Sequence, residues 1–348
     1  MNGKIRAAII GYGGMGHFHA NCYPKQKHVE LVAVCDSDPQ RFQQETVEIN
    51  TGKSEKFDLR TVRTYRSYEE LKKHETFDML DICLPCHLHA EYAVRAMEDG
   101  YHVLCEKPMA RTSKQADLMI RAARKTGRKL MVAQCVRFAE THNFLKEAYE
   151  KNTYGKLLRM DLRRNSAMPA GQTWYRDPEK SGGALLDLHL HDTDFIHYML
   201  GMPDAVQTYG IVRDTGGIDD LITNYIYKNG PLVSAEGSWC RSGWYCSAQA
   251  VFQKATLEIV DYGRIRLSRP DRETEEIRFD AGGFPDPKSN EIAYFADCIR
   301  LDREPEQCTP ESTRDSIRIA EAEERSARSK RKVNLFQKKR SSLKDGVE

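Results

Sequence analysis

No stretch of the 348 residues approaches the uncharged length that a membrane-crossing helix needs, so a helical span is excluded. Charge of one sign is equally scarce: 53 Lys and Arg stand against 51 Asp and Glu, a net charge of +2. That balance offers no field for nucleic acid or a membrane surface, and neither partner is expected. The basic residues Lys338, Lys339, Arg340 and Lys344 are the exception. Short and mixed with serine, they read as part of a flexible tail over 337–348. No internal repeat and no long low-complexity segment occurs. No export leader is legible, because the first apolar run leads straight into Gly11 and Gly13; the cytosol is the expected compartment. The ten cysteines are scattered, and Cys35, Cys83, Cys105 and Cys135 sit in apolar runs. Without an export signal they read as buried thiols.

What the chain does have is a glycine loop in a telling place. The apolar residues 7–10 run into Gly11-Tyr12-Gly13-Gly14-Met15-Gly16, a G-x-G-x-x-G motif. Such glycines allow a tight turn and a close approach of backbone to ligand, and the helix that follows offers free N–H groups to a pyrophosphate. A second apolar run, 29–35, ends in Asp36, 20 residues beyond Gly16. A carboxylate there accepts hydrogen bonds from an adenosine ribose. A dinucleotide is therefore expected, bound by Gly11, Gly13, Gly14, Met15, Gly16, Asp36 and Ser37. Asp36 repels a 2′-phosphate and favours NAD, while Arg41 close by keeps NADP as the lesser alternative.

Further along, the apolar runs 31–34, 79–84, 103–105 and 130–133 alternate with helical patterns, as a parallel sheet requires. The spacing predicts helices over 67–74, capped by Ser67 with Glu70 three residues on, over 90–99 before Gly100, and over 113–126 before Gly127. Residues 50–63 are charged and irregular and read as a surface loop. Past Gln134 the character changes. A helix over 138–151 precedes a strand from 157, and 205–278 reads as successive strands, with Asn229-Gly230 marking a tight hairpin. A final helix spans about 311–329. The expected fold is α/β: a Rossmann dinucleotide domain over 1–134, then an α+β domain over 135–336 with a large, mainly antiparallel sheet.

Four groups of residues could carry chemistry. Cys105-Glu106-Lys107-Pro108 follows an apolar run, and ligands of open parallel sheets lie beyond the strands' carboxyl ends, so Lys107 is aimed at the cleft. Pro108 raises the chance of a cis peptide; a plain surface turn is the bland alternative. In the second group, Gly182 and Gly183 open a helix expected to run to about 200, with Asp187 and His191 on one face. A carboxylate beside an imidazole tunes a general base. His189 and His191 with Asp187, Asp192 and Asp194 could instead hold zinc or manganese, or simply start a polar helix, and spacing alone leaves all three open. The third is Cys83-Leu84-Pro85-Cys86-His87, which matches haem attachment or a redox pair. Its first cysteine belongs to a strand-like run, so neither is expected. His89, just beyond, reads mainly as a structural residue at a helix start. Last come Arg163, Trp174, Tyr175 and Arg176, suited to a sugar ring with apolar faces and a hydroxyl rim, unless the aromatics pack the domain junction.

In this order the glycine loop, Asp36, Glu106-Lys107-Pro108 and Gly182-Gly183 leading to Asp187 and His191 resemble the Gfo/Idh/MocA family (glucose–fructose oxidoreductase, inositol dehydrogenase and rhizopine catabolism) over nearly the whole chain. The resemblance implies an NAD-dependent dehydrogenase acting on a CH–OH group of a cyclitol or sugar. It implies that Lys107 and His191 work at the oxygen being transformed, that Asp187 orients the substrate, and that Glu106 lies near the nicotinamide ribose. It favours His191 as a base, with no metal; a neutral imidazole is needed to take the proton, so titration is expected near the ordinary histidine value unless a neighbour shifts it. Pro85 and His89 fall at positions beside the cofactor. Two departures stand out: Cys86 where the family often has Asn, and His189 where small residues are frequent, either an extra substrate contact or a packed histidine. The same residues would serve a second class, NAD-retaining glycosidases that act by transient oxidation and elimination. The intact Lys107 and His191 oppose a merely NAD-responsive binding protein. The family also points to a homodimer or homotetramer built on the large sheet.

Overall fold

Short runs rich in Val, Ile, Leu and Ala are buried on both faces of the first sheet, as parallel strands flanked by helices must be. The computed structural model describes residues 3–49, 52–169, 173–279 and 286–336. Its first sheet comprises β1 (Ile5–Ile10), β2 (Val29–Cys35), β3 (Arg63–Tyr65), β4 (Met79–Ile82), β5 (His102–Glu106) and β6 (Leu130–Ala133). The order is β3-β2-β1-β4-β5-β6, all parallel. This is the doubly wound arrangement, and the order reverses between β1 and β4, where such sheets bind ligands. The linking helices are α1 (Gly14–Cys22), α2 (Tyr68–His74), α3 (His89–Glu98) and α4 (Ser113–Thr126). Ser67 caps α2 by accepting the Glu70 amide at 3.1 Å, and Gly127 ends α4 in the left-handed conformation. One correction concerns the stretch expected to be a loop: its far end starts β3. Only Tyr65 of that edge strand is buried, so no apolar run announces it.

Among the described residues the second sheet has nine strands: β7 (Leu157–Ala167), β8 (Ala205–Ile211), β9 (Asp220–Ile226), β10 (Leu232–Ser238), β11 (Cys240–Phe252), β12 (Thr256–Asp261), β13 (Arg264–Ser268), β14 (Glu275–Arg278) and β15 (Val333–Asn334). Their order is β14-β13-β12-β11-β7-β10-β9-β8-β15. Only the β7–β10 pair is parallel. Asn229 adopts φ 58° in the β9–β10 turn, the left-handed conformation that the Asn-Gly pair favours. One face of the sheet is covered by α5 (Glu140–Glu150), α6 (Leu190–Leu200) and α8 (Pro310–Ser329).

The sequence reading missed α7 (Pro287–Arg300), which Asp286 caps through the Lys288 amide. Its Ile292, Phe295, Ala296 and Ile299 pack into the core under β1 and α1, so the chain returns to the first sheet after leaving the second. The α8 helix spans both cores, with Ile317 in one and Ile319 in the other. The tail expected over 337–348 lies outside the described residues. No helix among the described residues is long and apolar enough to cross a membrane.

A buried ion pair ties these parts together. Arg137 donates from Nε and Nη2 to Asp194 of α6 at 2.8 and 2.7 Å, and from Nη1 to Ser312 of α8 at 2.7 Å. Removing one partner of such a pair strands a buried charge, at a cost of about 3–5 kcal/mol. Arg137→Ala is expected to lower the melting temperature by roughly 5–15 °C in a calorimetric scan. An unchanged midpoint contradicts this account of the junction.

Candidate active site

The glycine loop divides its work as a dinucleotide requires. Gly11 has φ +93°, and a Cβ there would lie 2.6 Å from the Cys83 carbonyl oxygen. At Gly16 a Cβ would lie 2.1 Å from the Gly11 carbonyl oxygen. Both are demanded by packing at the switch point. Gly13 is different: a Cβ there would meet nothing within 4 Å, so this glycine leaves room for a ligand to approach the backbone. Gly14 packs closely under the Ile49 side chain, and Met15 is half-buried against the β1 core. Asp36, at the end of β2, accepts the Tyr12 amide at 2.7 Å on one oxygen and the Asp38 amide at 2.9 Å on the other. A carboxylate has about four acceptor positions, so capacity for a ribose diol remains. Ser37 is exposed beside it, and Arg41 pairs with Asp38 at 3.7 Å.

Pro85 opens a tight turn before α3, and Cys86 donates its thiol to the Lys180 carbonyl at 2.8 Å. Burial pushes the Cys86 thiol up to about 12 and that of Cys83 higher still, so neither is a thiolate. His89 is buried and bridges the Pro108 and Leu84 carbonyls at 2.8 and 2.7 Å, which ties the two loops beside the cleft to each other.

Lys107 leaves the end of β5 with a cis bond to Pro108. Its Nζ donates to the Asp187 carbonyl at 2.6 Å and to Asp187 Oδ1 at 3.1 Å. Burial disfavours the charge, but the Asp187 and Glu106 carboxylates outweigh it and hold the lysine above its ordinary pKa. The Lys107 amide in turn donates to Glu106 Oε2 at 2.9 Å.

The helix expected after Gly183 forms and runs unbroken to Leu200, but it begins wide. Gly182 and Gly183 take φ +81° and +67°, and a single π-helical turn, Leu185–His189, precedes α6. A Cβ on Gly183 would lie 2.9 Å from the Ile218 carbonyl oxygen, so the chain can start here only with glycine. Asp187 belongs to the wide turn and His191 to the first turn of α6. The Asp187 carboxylate is engaged with Lys107, and His191 Nδ1 is buried with no hydrogen-bond partner among the described residues. Burial first, then the charges of Lys107, Arg164 and Lys288, hold the His191 pKa well below the histidine value. The imidazole is neutral at neutral pH, which corrects the expectation of titration near the ordinary value.

Two substrate candidates fall elsewhere. Successive strand residues face opposite sides. Arg164 of β7 is buried and bidentate on Asp192 of α6, at 3.1 and 2.7 Å. Arg163 is therefore on the opposite, outer face, where it lies 3.7 Å from Glu236 with its side chain 60% exposed. Arg164, beside His191, is the residue the sequence reading missed. His189 is fully buried, its Nε2 3.1 Å from the Tyr225 hydroxyl and its ring packed against Gly237, which is the packed alternative. Trp174 stacks on Tyr175 at 3.9 Å, and Tyr175 meets Trp239 edge-on at 5.9 Å. Burial raises the Tyr175 pKa, reinforced by Asp187, Cys86 and Glu106, which places this ring beside the Lys107–Asp187 pair.

A dinucleotide fold with a lysine at a strand's carboxyl end that meets a carboxylate and a neutral histidine from the second half of the chain defines a nicotinamide oxidoreductase architecture. The comparisons agree. Residues 5–134 match the oxidoreductase family with an NAD-binding Rossmann fold, Gfo/Idh/MocA, and 142–260 match the C-terminal domain of that family. The chain belongs to the Gfo/Idh/MocA family. It is 32% identical over 202 residues to the D-glucoside 3-dehydrogenase of Escherichia coli (strain K12), covering 57% of this chain and about half, 55%, of that protein's length. It is 23% identical over 343 residues to the myo-inositol 2-dehydrogenase of Thermotoga maritima, covering 95% and 98% of the two chains. The crystal structure of the WlbA dehydrogenase from Bordetella pertussis, in complex with NADH and UDP-GlcNAcA, shares the fold with a TM-score of 0.76 at 22% identity, over 96% of this chain and 100% of that one.

Proposed function

We propose that this protein transfers a hydride between a secondary alcohol of a cyclitol or sugar and NAD. The observation that carries the proposal is the pairing of a charged Lys107 with Asp187 beside a neutral His191 at the carboxyl end of β5 in a dinucleotide fold. The dinucleotide supplies the hydride acceptor; Gly13 leaves it room and Asp36 keeps acceptor capacity for its ribose. Lys107 has three N–H groups, and Asp187 takes two. The third is left for the substrate oxygen, whose negative charge grows as hydride departs. His191, neutral, takes the hydroxyl proton. Asp187 holds the lysine, and the Trp174–Tyr175 stack beside this pair suits the apolar side of a sugar ring. The names of the Escherichia coli and Thermotoga maritima relatives support a ring-bound secondary alcohol as substrate.

The test is NADH absorbance against a panel of cyclitols, monosaccharides and glycosides, with bound nucleotide assayed after purification. NADH accumulating with ketone product is the expected result. Glycoside cleavage without net NADH, with nucleotide retained, identifies the transient-oxidation glycosidase instead. No turnover on any arm overturns both.

Asp36 should set the cofactor. Asp36→Ala removes the ribose acceptor and the repulsion of a 2′-phosphate, so NAD affinity is expected to fall about tenfold or more while the gap to NADP narrows. Titrating both cofactors into both proteins checks this, and a wild type that prefers NADP refutes the assignment.

Self-association is proposed for the outer face of the second sheet. Tyr209, Ile211, Ile222 and Tyr245 are exposed at one end of that face. Tyr209 stands opposite Ile222 across β8 and β9, forming an apolar patch. Sedimentation at micromolar concentration is expected to give a dimer or tetramer; a 39.9 kDa monomer contradicts it.

A further inference from the structure

A buried charge bridge runs beneath the Lys107 turn. His19 lies on α1, three residues beyond Gly16, Asp81 in β4 and Glu106 at the end of β5. All three are at most 5% exposed. His19 Nδ1 is 2.9 Å from Asp81 Oδ2, and Nε2 is 3.0 Å from Glu106 Oε1. An ionised carboxylate only accepts, so an imidazole held between two of them carries a proton on each nitrogen. Asp81 is anchored further by the Tyr23 hydroxyl at 2.8 Å and the Cys83 thiol at 3.6 Å. The other oxygen of Glu106 accepts the Lys107 amide. One line of hydrogen bonds thus joins the helix of the glycine loop to the backbone of Lys107.

We propose that His19 is a permanently cationic positioning residue that holds Glu106, and through it the Lys107 turn, in register with the dinucleotide loop. The proposal rests on the reading in which Lys107 acts on the substrate oxygen. The groups facing His19 are Asp81 from β4 and Cys83 just after it, Glu106 from β5, Cys22 and Tyr23 at the end of α1, and Glu291 from α7. Burial opposes a charge on His19, but Asp81 and its neighbours outweigh it and raise the pKa well above the histidine value. Burial likewise opposes charge on Glu106, and the His19 bond and charge overcome it, so this carboxyl stays ionised. Glu291 is the acid that yields. It is fully buried, both its oxygens lack a partner among the described residues, and burial followed by the Glu106 charge pushes its pKa well up.

The ligand atoms of His19, Asp81 and Cys83 also lie within 4.8 Å of one another, the spacing of a metal site. A ring protonated on both nitrogens has no lone pair for a metal, so the two readings exclude each other.

The experiment is 15N NMR of histidine-labelled full-length protein from about pH 6 to about pH 9, with steady-state kinetics of His19→Gln. One of the 11 histidines should keep both nitrogens protonated at the top of that range, and its signals should vanish in the variant. The variant should lose about tenfold to a hundredfold in kcat, with KM for the polyol and NADH affinity within about threefold, because a small misplacement of the reacting groups costs rate before binding. All histidines neutral at the alkaline end, an unchanged kcat, or one tightly bound metal per wild-type chain lost on substitution each overturns the proposal. If His19→Gln fails to fold, Glu106→Gln replaces it: the same histidine should then titrate at lower pH, and an unmoved titration overturns the bridge. The spectra need no substrate, so failure to find polyol oxidation would sink the functional reading separately.

Discussion

Replacing Lys107 with methionine is expected to lower kcat for polyol oxidation by about a hundredfold or more, with NADH affinity nearly unchanged. The lysine stem is mostly enclosed, at 14% side-chain exposure, and methionine fills much of the same volume without the charge. What is lost is the one N–H not committed to Asp187, and the positive charge that the Asp187 and Glu106 carboxylates hold in place. That charge matters only as the substrate oxygen becomes anionic, so the loss belongs in kcat. The Asp187 carboxylate also loses its partner, which should raise KM for the polyol to a lesser degree. Turnover with the native substrate and fluorescence titration of NADH separate the two. A variant that turns over normally removes Lys107 from the mechanism.

His191→Asn should cost about a hundredfold to ten-thousandfold in kcat/KM for oxidation, the usual range for a lost general base. The pH dependence gives the sharper test. A base must be unprotonated to act, and the His191 pKa is depressed by burial and by three neighbouring cations. In the wild type, kcat/KM should therefore rise with pH through an ionisation below the ordinary histidine value and be level across neutrality as far as this residue is concerned. The acid limb should disappear in the variant. A wild-type limb at or above neutrality that vanishes with His191 contradicts the neutral-imidazole account. If the metal reading of the Asp187 to His191 segment were correct, chelators would inactivate the enzyme and added zinc or manganese would restore it.

The parts of this site legible in the sequence are those governed by local rules. Gly11, Gly16 and Asp36 sit in one strand–turn–helix–strand unit, and Lys107 follows directly from a strand end, so spacing alone locates them. Strand parity, which puts Arg163 outside and Arg164 inside, is invisible until a partner fixes which face is buried; Asp192, 28 residues from Arg164, decides it. The wide turn at Leu185–His189 departs from the four-residue periodicity that would put Asp187 and His191 on one face, and the carboxylate meets Lys107. The α7 helix carries local signals of its own: Asp286 and Pro287 start it, and Ile292, Phe295, Ala296 and Ile299 recur at helical spacing. His19 carried no local signal at all. Its partners Asp81 and Glu106 lie 62 and 87 residues away, and only the parallel sheet brings them to one place.

The central claim is that hydride passes directly between a carbinol carbon and the nicotinamide. It is tested most directly with a polyol deuterated at the carbon oxidised, turned over with NAD and examined by mass spectrometry and NMR of the reduced cofactor. The account predicts one deuterium at nicotinamide C4 in the wild type, and a strongly reduced rate of the same transfer in Lys107→Met and His191→Asn. Deuterium appearing in solvent water, or remaining on the sugar while product forms, contradicts it.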